Sequence, residues 1–241
     1  MRAPRAARKP SLTPGRGSGT SEDMSGGTIA IIPARAGSTR LPGKNVRPMA
    51  GRPMVAWTLD AALNARSLDR IVVSTDDPAV MDVASAMGLA PPFRRPPHLS
   101  GSETSVIDVI AHALTEVGGR WDHVVLLQPT SPLRMAQDVD DAVAACRAAG
   151  APALISVSPL PKPAAFYGRR THEGSLSAAE DVQTLRVING AVYVGRPDDV
   201  LTARTFRIDG CLAWDMPEDR AWDVDTAEEF AACESLLLRR G

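Results

Sequence analysis

Thr28-Ile-Ala-Ile-Ile-Pro-Ala-Arg-Ala-Gly-Ser-Thr-Arg-Leu-Pro-Gly-Lys-Asn45 decides how this chain of 241 residues is read. The stretch opens with Thr28–Pro33, an apolar, β-branched run of the kind that forms a strand buried on both faces. It then breaks into a loop with two glycines (Gly37, Gly43), two hydroxyls (Ser38, Thr39) and three cations (Arg35, Arg40, Lys44). From Pro53 to Leu63 the apolar spacing predicts a helix with proline in its first turn. A strand, a glycine-bearing cationic loop and a helix together hold phosphates. Glycines let backbone N–H groups approach, and fixed positive charge offsets the polyanion. The loop is not a Walker A, because Asn45 follows Lys44 and the glycine spacing differs, and it is not a G-x-G-x-x-G fingerprint.

Outward from this unit, Arg70–Asp76 reads as a second buried strand, and Asp77–Gly88 as a helix capped by Asp76 or Asp77. Short strand–helix–strand links imply right-handed parallel crossovers, hence a three-layer α/β/α fold with a doubly wound, mostly parallel sheet. Ligands of such sheets collect at the carboxyl ends of the strands, where the Lys44 loop and Ser74-Thr-Asp76 both fall. Pro91–Ser105 is too proline-rich for a regular element and leads into a helix, Val106–Val117, with Ser102 to Ser105 at capping positions. Val124–Leu127 reads as a central strand ending in Gln128-Pro-Thr-Ser-Pro-Leu-Arg134, whose two prolines stiffen a polar loop. Val139–Ala149 reads as a helix and Ala153–Ser158 as a strand, while Pro159–Thr184 has little periodicity. Asn189 can both donate and accept hydrogen bonds, although Asn-Gly is also a common turn pair. Asp223 and Asp225 are expected to alternate along a strand end and face the same way, as the hard ion Mg²⁺ requires. Asp225 also suits the N-cap of the terminal helix, Ala227–Leu238.

Bulk properties narrow the function classes. A net charge of -1 and a pI near 6.4 give no basic field for nucleic acid. No run approaches the ~20 apolar residues of a membrane span. Cys146, Cys211 and Cys233 lack CxxC spacing and read as thiols of a reducing compartment, and the four histidines lack metal-ligand spacing. Met1–Gly27, rich in Arg, Pro, Gly and Ser, is expected to be a disordered tail, with Met24 a candidate start.

Ile32–Asn45, Gln128–Arg134, Arg186–Tyr193 and Trp222–Phe230 resemble segments of the sugar-acid cytidylyltransferases. These are the CMP-sialic acid synthetases (N-acylneuraminate cytidylyltransferases) and relatives acting on legionaminic, pseudaminic and octulosonic acids. The resemblance implies a nucleotide-diphospho-sugar transferase-like domain over residues 28–240, with an arm over about 155–190 that packs on a second subunit, hence a cytoplasmic homodimer. It implies a Mg²⁺-dependent transfer of CMP from CTP to the anomeric hydroxyl of a nine-carbon 2-keto-3-deoxy sugar acid, because Gln128–Arg134 has the form found in enzymes of sialic-type acids. Ala34, Arg35, Ala36, Gly37, Ser38, Arg40, Lys44, Asn45, Arg95 and Thr104 would bind the nucleotide. Gln128, Thr130, Ser131, Arg134, Arg186, Asn189 and Tyr193 would bind the sugar acid. Asp223 and Asp225 would hold the metal and, with Arg35 and Lys44, carry the catalysis. Alternatives are the same chemistry on another acceptor (legionaminic, deaminated sialic or octulosonic acid, or a phosphonate) and a catalytically silent nucleotide sensor.

Overall fold

In the computed structural model, which describes residues 26–37 and 40–240, alternation along the strands builds two apolar layers. The elements run β1 (Gly27–Pro33), β2 (Pro48–Met49), β3 (Arg52–Pro53), α1 (Met54–Asn64), β4 (Arg70–Ser74), α2 (Pro78–Ala86), α3 (Val106–Val117) and β5 (Trp121–Leu126). They continue with α4 (Ala136–Ala149), β6 (Ala153–Ser158), β7 (Gly168–Arg170), β8 (Leu176–Ala178), β9 (Val187–Gly195), α5 (Pro197–Ala203), β10 (Leu212–Asp215) and α6 (Ala227–Arg240). Ala30, Ile32, Val73 and Val125 point toward α1, α2 and α4. Their neighbours Ile29, Ile31, Val72 and Val124 point the other way, onto α3 and α5. A strand apolar at every position is thus buried on both faces, as the run Thr28–Pro33 requires.

The main sheet has the order β10-β6-β9-β5-β1-β4. β1 pairs in parallel with β4 and β5, and β10 with β6; β9 alone is reversed, antiparallel to both β5 and β6. The doubly wound, mostly parallel sheet expected from the sequence is therefore present. A third apolar cluster joins Leu41, Met49, Met54, Leu133 and Val224 to Phe230, Cys233 and Leu237 of α6. It seats the terminal helix under the loops at the carboxyl ends of the strands.

Several local expectations change. Pro53 is the N-cap of α1 rather than a first-turn residue. Asp77, not Asp76, caps α2, accepting from the Ala79 N–H at 3.0 Å. Asn189-Gly190 makes no turn: it lies inside β9, where the register against β6 shifts between Ile155 and Val157. Pro159–Thr184 holds the antiparallel hairpin β7–β8 between short 3-10 turns. The segment with Asp223 and Asp225 belongs to no strand; the Val224 N–H donates to the Thr130 carbonyl at 2.7 Å and fixes it there instead. β1 already includes Gly27, and residues 1–25 of the expected tail lie outside the described residues. No helix among the described residues is long and apolar enough to cross a membrane.

Candidate active site

The loop after β1 is held from two sides. Ala34 N–H donates to Ser74 O at 2.9 Å, Thr75 Oγ1 to Ala34 O at 2.5 Å, and Ala36 N–H to Asp76 Oδ1 at 3.0 Å, which ties the loop to the end of β4. Asn45 Nδ2 donates to Arg35 O at 3.0 Å and closes the loop on itself. Gly43, at φ +66°, turns the chain into the 3-10 turn Lys44–Val46, a left-handed conformation that glycine adopts without strain. Ala34 is buried beneath the loop, Ala36 and Gly37 are exposed, and Ser38 lies outside the described residues.

Lys44 is only 8% exposed. Its Nζ donates to Val224 O at 2.6 Å and to Asp225 Oδ1 at 3.0 Å, while Arg40 Nη2 lies 2.9 Å from Asp225 Oδ2. The N-cap role considered for Asp225 falls to Thr226 instead. Thr226 Oγ1 accepts from the Glu229 N–H, and Glu229 Oε2 accepts from the N–H groups of Asp225 and Thr226, a reciprocal cap. The Asp225 carboxylate is thereby left for the two cations of the loop.

These residues surround a cavity of about 390 Å³. Arg35, Arg40, Lys44, Asn45 and Arg95 form one wall, Gln128, Thr130, Asp223 and Asp225 another, and Ser102 and Thr104 a third. Arg95 is buried, donates to Ser74 Oγ at 3.1 Å and to Ser74 O, and is pushed down to about 10 by burial, with the nearby Arg35 acting in the same direction. Burial raises the Asp223 carboxyl above its ordinary value; the Thr130 hydroxyl partly offsets this, and the charge of Asp225 adds to it. A carboxylate that opens onto the cavity beside the Thr130 hydroxyl, with no ion pair among the described residues, suits a cation entering there. No group of three or more His, Cys, Asp or Glu that could hold a metal occurs among the described residues. Mg²⁺ needs no such cage, since it takes one or two carboxylates and completes its shell with phosphates and water. The donor set fits that ion.

Sugar-site candidates divide. Gln128 and Thr130 reach the cavity. Ser131 is fully buried, its hydroxyl without a partner among the described residues. Arg134 is buried and turned into the framework, donating to Ala191 O at 2.5 Å, Thr58 Oγ1 at 2.7 Å and Gln128 O at 3.2 Å; burial pushes it down to about 9. The Asn189 amide is also committed internally. Its Oδ1 accepts from Ser156 Oγ at 2.6 Å and Ala191 N at 3.1 Å, and its Nδ2 donates to Ser158 Oγ at 3.0 Å. Arg186 lines no part of the cavity, because Asp215 Oδ1 holds its Nε at 2.7 Å and the carbonyls of Gln183 and Leu185 take its Nη1. Tyr193 packs on Phe206, ring centroids 5.4 Å apart, in a second cavity of about 360 Å³ that shares Gln128 and Val106 with the first.

Sequence reasoning passed over the apolar wall of the first cavity, Leu99, Val106 and Val109, and also Gly190. A Cβ on Gly190 would stand 2.7 Å from Gln128 Oε1. The irregular Pro91–Ser105 stretch, which holds Leu99 and leads into α3 with Val106 and Val109, is the signal that could have found the wall.

Comparison with known proteins gives a consistent picture. The family model described as cytidylyltransferase matches residues 29–193. A CMP-N,N'-diacetyllegionaminic acid synthase of Legionella pneumophila is 32% identical over 222 residues, covering 87% of this chain and 95% of that protein. An N-acylneuraminate cytidylyltransferase of Streptococcus agalactiae is 30% identical over 213 residues, 84% of this chain but only 51% of its own length. The chain thus spans nearly all of one relative and about half of the other. Two solved structures share the fold. A CMP:2-keto-3-deoxy-manno-octonic acid synthetase complexed with CTP has a TM-score of 0.64 at 18% identity, covering 89% of this chain and 100% of that one. The 4-diphosphocytidyl-2C-methyl-D-erythritol synthase of Anaerococcus prevotii has a TM-score of 0.69 at 15% identity, covering 89% and 97%.

Proposed function

The chain belongs to the cytidylyltransferase family, and from that premise we propose that it transfers CMP from CTP to the anomeric hydroxyl of a nine-carbon 2-keto-3-deoxy sugar acid, releasing pyrophosphate. The observation that carries this reading is the convergence of Arg35, Arg40, Lys44 and Arg95 with Asp223 and Asp225 on one cavity at the carboxyl ends of the strands. In-line attack on a phosphorus atom demands little covalent chemistry of the protein, so catalysis is positioning and charge neutralisation. Arg35, Arg40 and Lys44 neutralise the triphosphate and the departing pyrophosphate. Lys44, fixed on Val224 O, needs no reorganisation to do so. Gln128, at the junction of the two cavities, orients the acceptor entering from the side of Tyr193. Asp223 and Asp225 would hold Mg²⁺, which when bound supplies further charge at the phosphate oxygens.

A legionaminic-type acceptor is the second reading, favoured by the Legionella pneumophila relative that this chain matches over 95% of its length. The three free cysteines agree with a cytoplasmic setting. Phe166 at 74% and Leu176 at 79% exposure present an apolar surface on the β7–β8 arm, which supports a homodimer formed there.

The test is pyrophosphate release with CTP and Mg²⁺ over a panel of N-acetylneuraminic, deaminated neuraminic, legionaminic, pseudaminic and 3-deoxy-octulosonic acids. Release with one acid, abolished in Asp223→Ala, is expected. CTP binding with silence across the panel would favour the sensor alternative, and absence of CTP binding would sink the reading.

A further inference from the structure

A 2-keto-3-deoxy sugar acid carries its carboxylate on the carbon that bears the anomeric hydroxyl. Presenting that hydroxyl to CTP therefore places the carboxylate beside the α-phosphate, and a cation on the acceptor side must offset the repulsion. The need for this cation rests on the sugar-acid acceptor of the proposed reaction.

The arginines the sequence offers for this task are occupied. Arg134 is buried with its guanidinium on Ala191 O, Gln128 O and Thr58 Oγ1. Arg186 is held by Asp215 and lines neither cavity. In the first cavity Arg35 and Lys44 serve the triphosphate in the proposed reaction, Arg40 is paired with Asp225 and Arg95 is fastened to Ser74. The second cavity has two arginines in its wall, Arg204 and Arg207. Arg204 Nη1 lies 2.6 Å from Asp108 Oδ1, so that pair is neutral. Arg207 is exposed, and its guanidinium makes no hydrogen bond or ion pair with a described residue.

Its backbone is fixed nonetheless. The preceding Phe206 is buried against Tyr193, and the Arg207 N–H donates to Thr205 Oγ1 at 3.0 Å. A guanidinium on an anchored backbone, beside a cavity that reaches Gln128, has the fork geometry that matches a carboxylate. We propose that Arg207 binds the acceptor's carboxylate, and that the Arg204–Asp108 pair fixes the rim of this cavity against α3.

Steady-state pyrophosphate release by the full chain tests this, using whichever acid of the panel the wild type accepts, with that acid's methyl ester scored as a competitive inhibitor. Arg207→Gln is expected to raise the acceptor KM about tenfold to a hundredfold, the scale of one charge-assisted hydrogen bond, leaving the KM for CTP and the melting temperature unchanged. Inhibition by the uncharged ester should be the same in wild type and variant, and Arg207→Lys should recover part of the loss. An unchanged acceptor KM in Arg207→Gln, or an equal weakening of acid and ester, would overturn the assignment while leaving the proposed reaction standing. A wild type silent on every acid would overturn both.

Discussion

Gly190 is the position at which one methyl group would reach the site. It sits at φ +76°, and a Cβ there would meet Gln128 Oε1 at 2.7 Å, with Asp223 Oδ2 at 3.8 Å. Gly190→Ala is expected to cost about 1–2 kcal/mol in stability from the left-handed backbone. It should also displace Gln128, raising the KM of the acceptor more than that of CTP; equal KM values in denaturation-matched samples would show that Gln128 does not orient the acceptor. Lys44→Met should lower kcat about 10²-fold, the scale of a lost oxyanion donor, and loosen Asp225 from the loop. Steady-state kinetics with CTP in excess reads this. His123, on β5, titrates below its ordinary 6.5, chiefly because burial disfavours the imidazolium and next because Arg147 repels it. The unfolded chain then binds that proton more readily, so the His123 contribution to stability is complete above 6.5 and falls away as pH drops toward the lowered folded value. Denaturant midpoints measured from pH 7.5 downward should show this decline in the wild type and a flatter profile in His123→Leu.

At the N-terminus of α4, Asp138 is 1% exposed, accepts from the Met135 N–H at 2.8 Å and takes both Nε and Nη2 of Arg220. Arg220→Ala leaves that carboxylate buried without its cation and should destabilise the fold by about 2 kcal/mol, the scale of a lost charged hydrogen bond. Urea unfolding measures it, and an unchanged midpoint would mean that water replaces the guanidinium. Elements with a cap and a period of their own were legible in the sequence. α3 runs from Val106 to Val117 as expected, because Ser105 accepts from the Ile107 N–H and Gly118 follows the last turn. β1, β4 and β6 were legible as unbroken apolar runs. The direction of β9 was not, since burial on both faces looks the same whichever way a strand runs. α5 has seven residues and β10 has four, too short for a period to emerge. Of the candidate site, the cationic loop and the aspartate pair could be read from residue types. The inward commitment of Arg134 and Asn189 could not, because their partners Thr58, Ala191, Ser156 and Ser158 come from other elements.

For the whole molecule, the exposed apolar side chains of the arm are where the proposed homodimer would form. Leu176→Asp should shift sedimentation-equilibrium mass from dimer toward monomer, with the melting of the main domain little changed, since Leu176 lies on the hairpin outside the central sheet. An unaltered dimer would place the interface elsewhere. The reversed strand β9 has a different kind of consequence, one of timing. Three strands of the sheet emerge early from the ribosome, β4 and β5 each pairing with β1. β6 is made next, yet its partners in the sheet are β9 and β10, both still unsynthesised. Leu154, Ile155 and Val157 therefore wait without a partner until Val187–Gly195 has been translated and threaded between β5 and β6. An unpaired apolar strand of this kind is a template for aggregation and a target for chaperones. Nascent chains arrested between Ser158 and Val187 should be the ones most avidly held by a holdase, and release should coincide with the appearance of β9.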